Sequence, residues 1–495
     1  MNTSTWIGRN MSKLLPEPKP GSKPAIPSVE GSSHAIEKGA SASAGATLGV
    51  RSTRERLSAT LRRQEEALSP RVLRRTLEEL KAIVDARVSE VEGGRRAQGV
   101  ALWYASATEA QRRDMWLLMS EQFVADAQKV RQAQAQFAAA VGTQDEAAAE
   151  VQYRRATVSP RRRLLQRFSV FDGGIRFLVD LRAEMLPYLK MDRRLQALDV
   201  EMEYMFSTWF DVGFLELRRI SWDSPASLIE KLIKYEAVHD IRSWADVKNR
   251  LDADRRCYGF FHPRLPDEPL IFVEVAFTTA IADSITPLLD EAAAPAVPAR
   301  SSTAIFYSIS NTQPGLKGVS FGDSLIKRVV ETLRTEFPRL KVFATLSPMP
   351  GFRNWLSRHA DRLLQLTPLK ARDELARSLG TQPLTAQAVV AALESVPALE
   401  PKSPLRHWLL QCGAQYLGRE MADGKPLDAV ARFHLGNGAR VERLNWAADP
   451  SAKGIRQSCG LMVNYLYDLG RLDRHRTQLA QGKIPVSSAT TALFF

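Results

Sequence analysis

Between Arg51 and about Leu217 the apolar positions fall at helical spacing. Met115, Leu118, Met119 and Phe123 stand at i, i+3, i+4 and i+8, the stripe that one helix face turns toward a core. Ser69-Pro70 has the form of an N-cap followed by proline in the first turn, where a missing N–H costs nothing. Thr143 and Glu146 have the spacing of a capping box. β-branched residues are sparse here, while Ala, Gln, Glu, Arg and Leu are common. The region therefore reads as a bundle of several helices. Met202 to Leu217, with Tyr204, Phe206, Trp209, Phe210 and Phe214, predicts a core helix, with packing on a partner subunit as the alternative.

Near Arg218 the pattern changes. Ser224-Pro225 opens a helix with Leu228 and Leu232 one turn apart. Short apolar runs of strand type follow at Cys257 to Phe261, Leu270 to Phe277, Ala304 to Ile309 and Val342 to Leu346. A helix is expected from Ser324 to Phe337, and helical pieces at Pro368 to Leu379, Thr385 to Val396 and Pro404 to Arg419. The run NYLYDL, with Asn464, Tyr465 and Tyr467, reads as a helix or helix end. Met1 to about Val50, rich in Pro, Ser, Gly, Ala and Lys, buries too little apolar surface to offset its ordering entropy and is expected to be disordered. The organisation is α+β: segment 1–50, a helical domain at 51–217, and a mixed α/β domain with helical insertions at 218–495.

Composition changes this picture little. A chain of 495 residues with 44% hydrophobic and 25% charged positions is ordinary for a globular protein. The net charge of +13 asks for an anionic partner, but the arginines spread along helices. No zinc-finger or RNA-binding signature accompanies them, which argues against nucleic acid. No apolar run spans a bilayer, so no membrane partner is expected. Cys257, Cys412 and Cys459 are too scattered for a disulfide framework, and no histidine pair has metal-ligand spacing. A reducing, cytoplasmic setting is the expectation. The N-terminus lacks the apolar core of a secretory signal, and Glu17, Glu30 and Glu37 argue against a transit peptide.

Three places carry candidate chemistry. The loop Gly315 to Gly322, including Lys317, Gly318, Val319, Ser320 and Phe321, leaves a strand and enters a helix at Asp323. Glycines let the backbone approach a ligand, and free amides at a helix start face an anion. The loop is neither a Walker loop nor a dinucleotide fingerprint, and a plain strand–helix turn is the alternative. Ser347 lies between a strand and the turn Pro348-Met349-Pro350-Gly351-Phe352. A hydroxyl fixed there can donate to a developing oxyanion, or simply satisfy its own turn. His434 ends an apolar segment before Leu435-Gly436-Asn437-Gly438 and is suited to proton transfer near neutral pH. His262, in FFHPRLPDEP, competes as a substrate-binding candidate. Tyr465 reads as core, and Tyr467 as a residue able to line a pocket.

Seven stretches taken in order carry a resemblance: LRRISWDSP, EAVHDIRSWADVKNRL, RRCYGFFHPRLPDEPLIFVEVAFT, SISNTQPGLKGVSFG, IKRVVETLRTEFPRLKVFATLSPMPGF, ARFHLGNGA and RLNWAADPSAKGIRQSCGLMVNYLYDL. They resemble the malonyl-CoA decarboxylase family across the second region and, more weakly, the helical one. The resemblance implies a catalytic domain similar to the GNAT-type acetyltransferase fold and a helical domain used in homo-oligomer assembly. It makes Lys317 to Asp323 the coenzyme A pyrophosphate loop, Ser347 and His434 the catalytic pair, and Tyr467 a neighbour of the reacting group. It implies conversion of malonyl-CoA to acetyl-CoA and CO2 with no cofactor: no metal, biotin or pyridoxal. An N-acyltransferase of the same fold is the alternative. The chain departs from many relatives in having Ser320 where they have an acid. It ends Ala-Leu-Phe-Phe, where some relatives end Ser-Lys-Leu.

Overall fold

The computed structural model describes residues 69–319, 325–393 and 402–495. The segment expected to be disordered, 1–50, lies outside them. Helices fill the first region: Pro70–Val84, Glu90–Ser106, Glu109–Gln122, Ala127–Ala140, Glu146–Thr157, Pro160–Phe168, Gly174–Met185 and Gln196–Trp209. Met115, Leu118, Met119 and Phe123 are all buried, as their spacing requires. Ser69 Oγ accepts from the Val72 N–H at 3.4 Å, the cap read from Ser69-Pro70.

Two local expectations differ. Thr143 and Glu146 form no capping box, because the helix begins at Glu146 itself. Thr143 Oγ1 instead accepts from the Asp145 N–H, and Glu146 reaches back to the Gly142 N–H, bracing a tight turn between antiparallel helices. The core helix read through Leu217 stops at Trp209. Asp211 accepts from the Gly213 N–H at 2.8 Å, a side-chain turn that competes with the helix. The chain then enters strand β1, Glu216–Ile220.

The sheet adds β2 (Arg255–His262), β3 (Leu265–Thr278), β4 (Thr303–Asn311), β5 (Val342–Thr345) and β6 (Ser347–Pro348). After a separate two-stranded ribbon of β7 (Met421–Ala422) and β8 (Lys425–Pro426), β9 (Arg440–Asn445) and β10 (Met462–Leu466) complete it. The order is β1-β2-β3-β4-β5-β10-β6, with β9 also on β10. The β4–β5 pair is parallel, and every other pairing is antiparallel.

NYLYDL thus begins as a strand, not a helix end: β10 stops at Leu466, and the next residue, Tyr467, donates its N–H to the Phe343 carbonyl at 2.9 Å. A short apolar run fits either state, and here the preceding helix Ala452–Ser458 is stopped by Cys459 and Gly460, both at positive φ. The consequence is large, because strand periodicity puts Tyr465 and Tyr467 on one face.

Parallel pairing of β4 with β5 ends at Phe306 and Thr345, while β4 runs on to Asn311 beside β3. β10 runs along the other edge of the same stretch, with Leu466 opposite Ala344 and Val463 opposite Ser347. Ser347 therefore sits where two neighbouring strands part. One face of the sheet, bearing Phe343, Val463, Tyr465 and Tyr467, packs on the helix Leu325–Glu336 in a core continuous with the helical bundle. The other, bearing Tyr307, Ala344, Leu346 and Met462, packs on Ile285 and Leu288.

Candidate active site

His434 lies in the last turn of the helix Ala429–Gly436. Asp428 caps the start of that helix, its Oδ1 accepting from the Val430 and Ala431 N–H groups at 2.9 Å each. Its other oxygen accepts from the Tyr416 hydroxyl at 3.0 Å. The cap fixes the helix, and the helix delivers the imidazole to the β5–β10 face. There the ring stacks on Tyr465, with centroids 4.6 Å apart and planes 26° from parallel.

Ser347, His434 and Tyr467 converge into one chain of hydrogen bonds. Ser347 Oγ is 3.2 Å from His434 Nε2, and His434 Nδ1 is 2.8 Å from the Tyr467 hydroxyl. Ser347 Oγ donates to Thr345 Oγ1 at 2.8 Å. With the serine proton committed to Thr345, Nε2 must be the donor toward Ser347. Nδ1 then accepts from the Tyr467 O–H, which sets the tautomer. Thr345 Oγ1 also accepts from the Tyr465 N–H at 3.1 Å, tying β5 to β10 beside the serine. Asn464 adds a second tie: its Nδ2 donates to the Thr345 carbonyl at 2.7 Å, and its Oδ1 accepts from Asn445 at 2.8 Å.

Ser347, His434 and Tyr467 are each 3–5% exposed. Burial pushes the His434 pKa down to about 3. Burial likewise raises the hydroxyls of Tyr465 and Tyr467 above the usual tyrosine range. Both effects disfavour the charged forms, so these side chains are neutral at pH 7. The linkage has a definite sign. An unfolded histidine takes a proton below about pH 6.5, whereas folded His434 refuses it until about 3. The unfolded chain binds more protons in that window, so stability falls with pH by up to ~1.4 kcal/mol per unit from this group. His434→Gln should flatten the decline in urea midpoint between about pH 7 and about pH 4.5. His239, also pushed down to about 4 by burial, is common to both proteins and cancels. Parallel declines would refute the assignment.

The loop is only partly within reach. Lys317 is exposed, Gly318 adopts φ +83°, and Val319 is buried. Ser320, Phe321, Gly322 and Asp323 lie outside the described residues. The approach to the loop is held by the helical bundle. Arg182 Nη1 donates to the Gly315 and Lys317 carbonyls at 2.7 and 2.9 Å, and its Nε donates to Asp199 at 2.8 Å. Gly315 admits no side chain, since a Cβ there would lie 1.9 Å from the Val179 carbonyl oxygen.

His262 is placed apart from this cluster. Its Nδ1 accepts from the Arg264 N–H at 3.1 Å, and its ring meets the Phe210 edge at 5.1 Å, in the seam with the bundle. Sequence reading passed over Thr345, Tyr416, Asp428 and Arg182 and took Tyr465 for plain core. Thr345 stands two residues before Ser347 on an extended run, so period two alone places both on one face. Asp428 before an apolar helix is an ordinary N-cap signal. Nothing local marks Arg182.

Among the described residues, no group of three or more His, Cys, Asp or Glu side chains is placed to hold a metal ion. No helix there is long and apolar enough to cross a membrane.

The malonyl-CoA decarboxylase C-terminal domain matches residues 213–494, and the N-terminal domain of the same family matches 123–210. Mitochondrial malonyl-CoA decarboxylase of Mus musculus is 40% identical over 338 residues, covering 65% of this chain and 68% of its own length. Its counterpart in Anser anser anser is 38% identical over 332 residues, covering 64% and 65%. The crystal structure of malonyl-CoA decarboxylase from Rhodopseudomonas palustris is similar with a TM-score of 0.73 at 39% identity, over 85% of this chain and 99% of that one. That from Cupriavidus metallidurans gives 0.70 at 42%, over 86% and 100%. With the family's C-terminal domain matched over residues 213–494 and a relative 40% identical over 68% of its own length, the chain belongs to the malonyl-CoA decarboxylase family.

Proposed function

We propose that the protein converts malonyl-CoA to acetyl-CoA and CO2 at the cluster of Ser347, His434 and Tyr467. The observation that carries the site assignment is the Ser347–His434–Tyr467 hydrogen-bond chain, buried on one sheet face of a member of this family.

The reaction breaks the bond between the α-carbon and the carboxylate carbon. Its electron pair moves onto the thioester as an enolate, CO2 leaves, and one proton forms the new C–H bond. The barrier falls to the extent that the enolate is stabilised as it forms. Ser347 Oγ turns its proton from Thr345 Oγ1 to the thioester oxygen, or orients the departing carboxylate across the thioester plane. His434 delivers the proton from Nε2. Its lowered pKa is consistent with that role. The imidazole itself is neutral, and the substrate carboxylate brings the negative charge that favours an imidazolium beside it. The proton taken up with the carboxylate is the proton left on acetyl-CoA, so the imidazole is neutral again at the end. The thioester stabilises the carbanion, and no cofactor enters any step. The loop from Lys317 to Asp323 is assigned to the coenzyme A pyrophosphate.

The test is to incubate purified protein with malonyl-CoA and no other reagent. CO2 and acetyl-CoA should appear in equal amounts. Turnover that requires an added amine would replace this reading with acyl transfer. Tyr467→Phe should keep the fold but free Nδ1, lowering kcat about tenfold with little change in KM, as loss of a partner that orients a catalytic imidazole does. An unchanged kcat would remove Tyr467 from the site.

Self-association is assigned to the helical region. Its hairpin Ala127–Ala140 and Glu146–Thr157, pinned by the stacked Phe137 and Tyr153 rings, buries only Ala133 and leaves Val141 and Val151 exposed.

A further inference from the structure

Ser347 and His434 arrive on different elements. Ser347 begins β6 and leads into the turn Pro348-Met349-Pro350-Gly351, closed by the Phe352 N–H on the Met349 carbonyl at 3.1 Å. That turn opens the helix Phe352–Leu366. His434 belongs to the helix Ala429–Gly436. One hydrogen bond of 3.2 Å between the two side chains nets too little to hold two elements at a fixed distance by itself.

Tyr416, from a third element, bears on both. It lies near the end of the helix Pro404–Gly418 and is 3% exposed. Its ring packs on Phe352 and Trp355, with centroids 5.6 and 5.0 Å away. Its hydroxyl lies against the turn itself, since a Cβ on Gly351 would come within 2.7 Å of that oxygen. The same hydroxyl donates to Asp428 Oδ2 at 3.0 Å, while Asp428 Oδ1 caps the His434 helix through the Val430 and Ala431 N–H groups. Asp428 is buried, so little water can replace a lost donor. A phenol has only two rotatable side-chain bonds, so it holds a separation with little freedom to lose.

Resting on the assignment of Ser347 and His434 as the catalytic pair, we propose that Tyr416 is a positioning residue for that pair. It fixes the distance between the Ser347 turn and the His434 helix. Its ring and oxygen set the turn, and its proton holds the carboxylate that holds the helix.

Two variants cut this link from opposite ends. Tyr416→Phe keeps the ring on Phe352 and Trp355 and removes the donor to Asp428. Asp428→Ser keeps a cap for the His434 helix, because serine caps as well as aspartate, but has no second oxygen for Tyr416. With malonyl-CoA, kcat should fall about tenfold in each with KM unchanged, because a small displacement of a catalytic group is felt in the chemical step. The double variant should be no slower than the worse single one, since the link can be cut only once. Asp428→Asn offers an acceptor for the cap and an amide N–H for the phenol oxygen, so it should restore most of kcat. Rates are taken at a temperature where circular dichroism shows each variant folded. If one variant does not fold, the other still cuts the same link. Wild-type kcat in a folded Tyr416→Phe or Asp428→Ser protein, even with a lowered urea midpoint, would leave Tyr416 a packing residue and overturn the proposal. Additive losses in the double variant would overturn it as well, because the two residues would then act separately. Absence of turnover by the wild-type protein would instead overturn the catalytic assignment, and the proposal with it.

Discussion

His434→Ala should reduce decarboxylation of malonyl-CoA by about 10² to 10⁴-fold, the range for loss of a positioned general acid. The loss should fall on kcat, because protonation of the α-carbon belongs to the chemical step and not to holding coenzyme A. Removing a buried ring also leaves a cavity between Tyr465 and Phe433, so His434→Gln is the sharper variant. Glutamine can still donate to Ser347 but has no proton to give, and it should be nearly as slow. If His434→Gln retained near-wild-type rates, the imidazole would be a hydrogen-bond spacer and the proton would come from elsewhere. Ser347→Ala should cost about 10² to 10³-fold, as loss of one donor to a developing oxyanion does. Because Ser347 and His434 belong to one hydrogen-bond chain, the double variant should be little slower than the worse single one. Additive losses would mean that the two residues act independently.

The two residues were legible in the sequence for different reasons. Ser347 was visible because a strand-like run ends against prolines, and His434 because an apolar segment runs into an Asn-Gly turn. Neither pattern specifies chemistry, and each has an innocuous reading. The ordered set of seven stretches turned them into a pair, and the fold adds what order along the chain does not contain: the 3.2 Å contact across 87 residues. Tyr467 shows the limit most clearly. Read as a helix end, NYLYDL gives its two tyrosines no common face. With β10 paired on both edges up to Leu466, Tyr465 lies against the imidazole ring and Tyr467, one residue beyond the strand, against its far nitrogen. The misreading has a physical origin, since a five-residue apolar run carries too few positions to separate a period of 2 from one of 3.6. The helical bundle was easier because its helices run far longer and show the apolar stripe several times over.

Arg182 lies at the opposite extreme, invisible in the sequence and expected to matter more than any other residue of the bundle. Arg182→Met should destabilise the protein by about 3–5 kcal/mol, the cost of breaking a buried ionic and hydrogen-bonded group from one side. The guanidinium is 2% exposed and meets the Asp199 carboxylate and two loop carbonyls. Methionine fills much of the volume and satisfies none of these. Arg182→Lys should recover only part of the loss, since a single ammonium cannot reproduce a planar fork that reaches Asp199, Gly315 and Lys317 together. The change should also be felt by the substrate. The two carbonyls belong to residues that lead directly into the loop assigned to coenzyme A, and the helix carrying Arg182 is packed so closely that Gly315 cannot bear a Cβ. Freed from Arg182, that approach loses the contacts that pre-form it, and substrate binding must supply the ordering. KM for malonyl-CoA should therefore rise about tenfold in Arg182→Lys at a temperature where the variant is fully folded, while kcat changes little. Urea titration gives the first number and initial rates give the second. Lost stability with an unaltered KM would confine Arg182 to holding the bundle together. A raised KM would show that the helical region shapes the catalytic domain's grip on its substrate.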